Sequence, residues 1–340
     1  MGVELAQGRG AVRPPIGIAL DADLGTRIDA ILAVAMLNGM TAKTEARRIS
    51  LSVSRPSVAS AQIADVVAGF YRGRPAGAPT GGVGAITEGM IGMPEGPAAG
   101  TDAPPLAATL SKKTPEGAPA YTSAITGLVG TAESAVLIRN LLLAQHDGNA
   151  AIVLAGPPTG LVRLLGLYRS GPQVLAKCKQ LVVAAGSFPA GPAEATIKND
   201  VAAAKKLFAE WPTPIVAVGS EVGETLAYPG ASIEKDFAWA PLHPVVDAYR
   251  AFKPMPYDAP ASALAAVLYA VHPDAGYFKL SDPGTITVLD DGRTRFTPAA
   301  DGRHRYLIVD PAQKERVLGV YTSMVSAQPA PRPGRGRAGA

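Results

Sequence analysis

The chain has 340 residues, of which 47% are hydrophobic and 18% are charged, and its formal net charge is +4. This hydrophobic content suffices for a packed core and excludes a globally disordered chain, while the single cysteine, Cys178, excludes an internal disulfide framework and a multi-cysteine metal site. Much of the basic excess comes from Arg332, Arg335 and Arg337 near the C-terminus, so the charge gives little support for a nucleic-acid partner.

The first predicted elements are a strand and a helix within residues 16–38. Alternating branched residues at the start predict a buried strand, and the apolar run 31–37 predicts helical turns. Between them lie three carboxylates, those of Asp21, Asp23 and Asp29, around a Gly-Thr turn. Ligands of α/β proteins bind outside the carboxyl ends of strands, so a ligand or metal site is one interpretation. The other is that Asp29 caps the helix and Asp23 closes a turn.

The rest of the chain alternates between predicted strands and helices. Strands are predicted at 48–54, 150–155, 179–185 and 214–218, and helices at 57–70, 132–145, 159–168, 193–209, 256–271 and 310–325. This alternation predicts an α/β fold with a mostly parallel open sheet flanked by helices. Residues 285–296 contain Asp-Asp-Gly between two short strands, which predicts a small β-hairpin added near the C-terminus.

Glycine and proline dominate residues 72–120, which predicts a long loop that is either a lid over a pocket or a plain surface excursion. We expect one domain over 14–325, a flexible N-terminus at 1–13 and a disordered Pro/Gly/Arg tail at 326–340. Neither a signal peptide nor a run of 18 apolar residues is visible in the sequence, so we expect a cytoplasmic protein without a membrane partner.

Five segments occur in an order that is typical of one enzyme family. They are the Asp-x-Asp-x-Gly opening at Asp21, the turn LAGPPTGLVRLL, the stretch LVVAAGSFPAGPAEATIKNDVAAAKKLF, the strand and turn WPTPIVAVGSEVGE, and the helix ASALAAVLYAVHP. Together they resemble the inosine-uridine nucleoside hydrolase family over about residues 16–325. The resemblance implies that family's α/β fold and self-association into a homodimer or homotetramer.

The resemblance also implies a chemistry, the hydrolysis of the N-glycosidic bond of a ribonucleoside. In such enzymes a Ca²⁺ ion holds the attacking water and the ribose hydroxyls, and a carboxylate takes the proton from that water. Asp23 matches the aspartate that is both metal ligand and general base, and Asp29 matches one that binds a ribose hydroxyl. Glu194 matches the glutamate that holds the outer sugar hydroxyls, and Thr196 replaces the asparagine beside it. Ala155 falls near the residue whose backbone carbonyl binds calcium.

Several departures from the family pattern weaken the implied calcium site. The second aspartate of the Asp-Asp pair is Ala30, and the metal-binding aspartate of the last helix is Ala263. Calcium prefers six to eight oxygens, many of them from carboxylates, and Arg27 adds a positive charge to the same loop. We therefore expect calcium binding and hydrolysis to be weakened or lost. An alternative is that Asp258, five residues before Ala263, supplies the missing carboxylate.

Further departures affect the sugar pocket. Ser262 replaces the usual His or Trp, Gly160 replaces the asparagine of the Gly-Pro turn, and residues 54–56 (Ser-Arg-Pro) stand where the family has a pocket asparagine. Arg27 is either a fixed charge that pairs with Asp23 or Asp29 in place of the cation, or a solvent-facing loop residue.

Two hypotheses about function follow from these matches and departures. The first is a nucleosidase that uses Asp23 as its base. The second is a non-catalytic ribose- or nucleoside-binding or assembly protein on the same fold. The preserved pattern of motifs favours the first, whereas the lost metal ligands favour the second.

Overall fold

The computed structural model describes residues 14–73, 89–96, 104–167 and 170–329. The predicted flexible N-terminus, most of the predicted tail and two stretches of the predicted long loop lie outside these residues. No helix of the described part is both long enough and apolar enough to cross a membrane.

The described strands form a single sheet. They are β1 (Ile16–Ala22), β2 (Ala46–Val53), β3 (Ile91–Met93), β4 (Ala132–Glu133), β5 (Ala150–Ala155), β6 (Cys178–Val183), β7 (Ile215–Ala217), β8 (Phe278–Leu280), β9 (Gly284–Val288), β10 (Thr294–Pro298) and β11 (His304–Val309). Their order is β10-β9-β11-β7-β6-β5-β1-β2-β3-β4, with β8 added beside β11. In this spatial order, neighbouring strands from β11 to β4 pair parallel. β8 and β9 pair antiparallel with β11, and β10 pairs antiparallel with β9. The predicted mostly parallel sheet and the predicted hairpin are therefore confirmed.

Helices cover both faces of the sheet. They are α1 (Ile28–Ala42), α2 (Val58–Tyr71), α3 (Pro104–Leu110), α4 (Ser134–Leu143), α5 (Thr159–Gly166), α6 (Ser170–Lys177), α7 (Ala195–Lys198), α8 (Val201–Glu210), α9 (Ser220–Thr225), α10 (Gly230–Lys235), α11 (Pro244–Phe252), α12 (Ser262–Val271) and α13 (Lys314–Val325). One hydrophobic cluster includes residues of α1, α2, α11, α12 and α13, and a second includes residues of α4, α5, α6 and α8.

The most enclosed elements are β1 and α1. β1 is paired on both sides, and α1 is buried from Asp29 through Met40 because α2, α12 and α13 pack around it. A helix that is apolar on all sides needs such complete coverage. The rigid surroundings fix the loop between β1 and α1, which carries the acidic residues.

Helix boundaries account for two differences from the sequence prediction. α12 begins at Ser262 rather than at residue 256, because Ala259 forms a β-bridge with Tyr228 and precedes Pro260, which disfavours helical backbone before it. The helix predicted at 193–209 is divided into α7 and α8, because the Asp200 side chain accepts a hydrogen bond from Ala203 N and starts a new helix.

The predicted long loop contains regular structure. β3 is a buried strand that pairs with β2 and β4, and α3 follows it. Met93 of β3 is buried in the core. The short helices α9, α10 and α11 were not predicted either.

Candidate functional site

The candidate site lies at the carboxyl end of β1, near the middle of the sheet. The chain continues directly to β2 on one side of β1 and reaches β5 on the other side only after a long excursion. Ligands of open α/β sheets bind at such a point, where the connections diverge. The acidic residues predicted from the sequence therefore occupy the position at which the topology favours a ligand site.

The carboxylate of Asp23 is buried, and each of its oxygens has a partner. Its Oδ1 accepts a hydrogen bond from Gly25 N at 3.2 Å, and its Oδ2 accepts one from Thr26 Oγ1 at 2.8 Å. Arg55 Nε lies 2.7 Å from the same Oδ2 and forms an ion pair, although its N–H is not aligned for a hydrogen bond. Arg55 follows β2, whose end lies beside the end of β1. The guanidinium therefore stands against the carboxylate that the family resemblance assigns to catalysis.

Arg27 forms a two-pronged ion pair with Asp29. Arg27 Nε donates to Asp29 Oδ1 at 3.0 Å, and an Nη donates to Oδ2 at 2.8 Å. Asp29 is only 4% exposed, and its Oδ2 also accepts a hydrogen bond from Ala263 N at 3.0 Å, at the start of α12. Of the two predicted positions of Arg27, the structure therefore contains the side chain paired with Asp29 rather than one that faces the solvent.

The other Nη of Arg27 reaches the region of α7. It donates to Thr196 Oγ1 at 3.0 Å and to the carbonyl of Ala184 at 3.4 Å, and it lies 3.8 Å from Glu194 Oε1. Burial by itself lowers the pKa of Arg27, but the nearby carboxylates, led by Asp29, outweigh burial and raise that pKa above its ordinary value. The guanidinium is thus a permanent positive charge that joins the β1–α1 loop to the segment after β6.

Glu194 and Thr196 form a local unit. Glu194 caps α7, because its Oε2 accepts a hydrogen bond from Thr196 N at 3.0 Å and its Oε1 accepts one from Thr196 Oγ1 at 2.9 Å. Both predicted sugar-binding residues therefore lie beside Arg27, and the structure brings them together with Asp29.

Two other predicted residues have partners of their own. The carbonyl of Ala155 accepts a hydrogen bond from Asp23 N at 3.0 Å. Asp258 Oδ1 accepts a hydrogen bond from Gly230 N at 2.8 Å, at the start of α10. Asp258 borders the same cavity as Asp29, but its carboxylate is engaged away from Asp23 in the described geometry.

Asp21 differs from its neighbours because its carboxylate has no hydrogen-bond partner among the described residues. Its side chain is 0% exposed, and neither carboxylate oxygen has a hydrogen bond to the described residues. Burial, with smaller contributions from the charges of Asp23 and Glu133, raises the pKa of Asp21 to about 7. The sequence marked this residue as part of the acidic cluster without showing that it is isolated from the arginines.

The residues present do not fit a calcium ion. Ala30 and Ala263 are fully buried at the site and offer no side-chain oxygen, and the carboxylates of Asp23 and Asp29 each face a guanidinium. Calcium needs six to eight oxygens and is repelled by fixed positive charge. Within the described part of the chain, no group of three or more His, Cys, Asp or Glu residues is arranged to hold a metal ion. The described residues of this site therefore lack the oxygen ligands that a calcium-dependent step would need.

Two cavities flank Arg27. One has a volume of about 140 Å³, and its lining includes the polar side chains of Glu194, Ser220 and Ser262. The other, of about 340 Å³, is bordered by Phe252, Tyr257, Lys253 and Asp258 as well as by Asp29. Arg27 and Pro260 line both cavities, so a ligand with a small polar part and a larger ring could contact both sides of the arginine.

The contact between Arg55 and Asp23 is not predicted from the sequence. The family resemblance implies that Arg55 lies in a segment where the family has a pocket asparagine, but it does not indicate that its charge reaches the end of β1. A signal was available, since Asp23 follows β1, Arg55 follows β2, and consecutive parallel strands end at the same edge of a sheet.

No protein-family model and no curated protein matches the chain, but solved structures share its fold. A plant nucleoside hydrolase is 19% identical, with a TM-score of 0.63 over 92% of this chain and 100% of that one. An inosine-uridine preferring nucleoside hydrolase from Bacillus anthracis is 14% identical, with a TM-score of 0.59 over 92% and 99%. The type III effector protein XopQ, complexed with adenosine diphosphate ribose, is 14% identical, with a TM-score of 0.60 over 93% and 95%. At these identities the comparisons establish the fold.

Proposed function

We propose that this chain, which has the nucleoside hydrolase fold, binds a ribosyl compound without hydrolysing it by the calcium-dependent route. One observation carries the proposal: the two aspartates that resemblance assigns to catalysis and to ribose are each paired with an arginine, Asp23 with Arg55 and Asp29 with Arg27. The positive charge that a calcium ion would supply is thereby provided by the chain itself.

The contacts of Asp23 explain why hydrolysis is not expected. A general base must be within hydrogen-bond reach of the proton that it takes, with an oxygen available to receive it. Both oxygens of Asp23 are already contacted, Oδ1 by Gly25 and Oδ2 by Thr26 and Arg55. A guanidinium can hold a carboxylate but cannot generate a hydroxide from a bound water as a metal ion does.

The cavities support binding of a sugar beside a ring. The smaller cavity presents the carboxylate of Glu194 and the hydroxyl of Ser262, which can accept from and donate to the hydroxyls of a pentose. The larger cavity adds the rings of Phe252 and Tyr257, which suit an aromatic base. The adenosine diphosphate ribose bound in the XopQ structure combines these parts, so it belongs in the ligand panel.

Isothermal titration calorimetry in the presence of EDTA tests the proposal, with ribose, inosine, uridine and adenosine diphosphate ribose as ligands and glucose as the negative control. We expect at least one ribosyl compound to bind. Glu194→Gln should weaken that binding about tenfold, because a hydrogen bond to a charged group contributes about 1.5–3 kcal/mol. The matched control is Glu234→Gln, since Glu234 pairs with Arg250 at the surface and lines neither cavity.

Two further measurements separate the proposal from the hydrolase hypothesis. Calcium titration should give no saturable heat, and a reducing-sugar assay should detect no ribose released from inosine or uridine. Micromolar calcium binding that Asp23→Ala abolishes, together with ribose release, would establish the nucleosidase instead. Absence of binding by every ribosyl compound would overturn the binding function.

A further inference from the structure

A second group of polar side chains lies on the face of the sheet that α4 and α5 cover, and it is buried without hydrogen-bond partners among the described residues. Asp21 of β1 is in register with Ser52 of β2, and Ser52 is in register with Gly92 of β3. Residues in register on parallel strands project from the same face of the sheet, so Asp21 and Ser52 are neighbours on one face. α4 and α5 cover that face, and α4 begins at Ser134.

Two glycines show how closely these oxygens approach one another. A methyl group placed on Gly160 would lie 3.1 Å from Asp21 Oδ2 and 3.3 Å from Ser134 Oγ. A methyl group on Gly92 would lie 2.2 Å from Ser52 Oγ and 3.2 Å from Ser134 Cα. The carboxylate of Asp21 and the hydroxyls of Ser52 and Ser134 therefore surround one small region between the sheet and the N-termini of α4 and α5.

The oxygens of this region lack hydrogen-bond partners among the described residues. Both oxygens of Asp21 and the hydroxyls of Ser52, Ser54 and Ser134 have none, and Asp21, Ser52 and Ser134 are 0% exposed. Buried polar atoms in proteins almost always have a partner, so several orphans in one place indicate a bound water or ion.

Charge distinguishes an ion from water. No Lys, Arg or His of the described residues lies within ion-pair distance of Asp21. The arginines of this region pair with other carboxylates, Arg55 with Asp23 and Arg163, at 3.5 Å, with Glu133. A buried carboxylate without a counter-charge is costly, and it is either neutralised by a proton or compensated by a cation. The surrounding ligands are all oxygens, which are the donors that hard cations prefer.

We propose that Asp21, Ser52 and Ser134 form a buried site for a monovalent alkali cation. The nearby Glu133 is 3.5 Å from Arg163, which balances its charge, so Asp21 is the carboxylate that needs a cation. A single positive charge balances Asp21, whereas a divalent ion would leave an excess charge among the hydroxyls. The site shares no residue with the ribosyl site, so the two proposals stand or fall separately.

Crystals of the unmodified protein soaked in thallium(I), a potassium mimic with a strong anomalous signal, test the site directly. We expect an anomalous peak in contact with Asp21 and Ser134. Thermal unfolding at constant ionic strength gives a second readout, since a cation that binds only the folded state raises the melting temperature with concentration. Sodium or potassium chloride should raise the melting temperature above its value in N-methylglucamine chloride.

The variants make the result specific. Asp21→Asn removes the charge with little change in shape, and the dependence of the melting temperature on the alkali cation should disappear. Ser134→Ala removes one ligand and should shift the half-maximal cation concentration upward at least threefold, while the exposed control Asp301→Asn should leave it unchanged. If Asp21→Asn does not fold, the soak and Ser134→Ala still decide the matter. A water in place of the anomalous peak, with equal melting temperatures in all three salts, would overturn the proposal.

Discussion

Replacing Arg27 by methionine tests whether the Arg27–Asp29 pair is the fixed charge that organises the site. Methionine retains apolar contacts but leaves Asp29, which is 4% exposed, without its cation. Removing one partner of a fully buried ion pair costs about 3–5 kcal/mol. The Arg27 side chain is 21% exposed, so solvent screening reduces the loss, and we expect about 2–3 kcal/mol.

The matched control is Arg250→Met. Arg250 forms the same two-pronged contact with Glu234, at 3.2 and 2.9 Å, but both side chains are about half exposed. An exposed pair contributes about 0–1 kcal/mol, so the free energy of unfolding of this variant should be close to that of the parent protein. Urea unfolding followed by tryptophan fluorescence measures both free energies of unfolding. Equal losses for the two variants would refute the claim that the Arg27 pair is a buried, compensated charge.

A double-mutant cycle that combines Arg27→Met with Asp29→Asn separates the contribution of the ion pair from that of packing. If the two groups act through each other, the double variant should lose less stability than the sum of the single variants, with a coupling of about 1–3 kcal/mol. Additive losses would indicate that Arg27 acts through Thr196 and Ala184, which it also contacts, rather than through Asp29.

Three other predictions concern the pH dependence of stability, a closely packed glycine and the oligomeric state. Burial lowers the pKa of His243 from 6.5 to about 3, so below pH 6.5 the unfolded state binds more protons at this residue than the folded state does. His243 should therefore remove up to about 1.4 kcal/mol of stability per pH unit as the pH drops from 6.5 toward 3. The difference in free energy of unfolding between the parent protein and His243→Asn, measured at several pH values, should show this slope. Gly156→Ala would place a methyl group 1.9 Å from Ser54 Oγ and 2.9 Å from Asp23 N and should cost about 1–3 kcal/mol in urea unfolding, whereas Gly166→Ala, with open space around it, should change stability by less than about 1 kcal/mol. Light scattering should give the mass of a dimer or tetramer, as the family resemblance implies, and a monomer across the micromolar range would contradict that expectation.

The part of the fold that periodicity could predict is the central sheet. β5 is a continuous apolar run, and β1 and β6 are apolar over most of their length, because helices cover both faces of the sheet. Such patterns can be recognised in the sequence without tertiary information. β3 was hidden because only three residues, 91–93, enter the sheet amid glycine and proline. The start of α12 was misplaced because helical spacing continued backward past Pro260, where the chain instead forms a bridge to Tyr228.

The acidic residues of the site could be predicted from the sequence, but the contacts of its arginines were harder to predict. Asp23 and Asp29 are close in sequence to the strand and helix that position them, so local pattern located them. Arg27 lies two residues from Asp29, and its pairing could be proposed as one of two alternatives. The contact of Arg55 with Asp23 depends on the adjacency of β1 and β2, and the isolation of Asp21 depends on which side chains cover the opposite face of the sheet. Such facts require the packed structure.

The positive charge beside Asp29 belongs to a side chain and not to a bound ion, and this affects how the site responds to the composition of the medium. A bound ion is exchangeable, so its occupancy follows the composition of the medium and can be stripped by a chelator. A guanidinium carried on the polypeptide is present at one equivalent in every molecule and at every free calcium level. The structure around α7 and α12 should therefore be insensitive to EDTA. Any ligand that binds Asp29 must compete with the guanidinium of Arg27, whereas in a metal-dependent site it would bind together with a metal ion from solution.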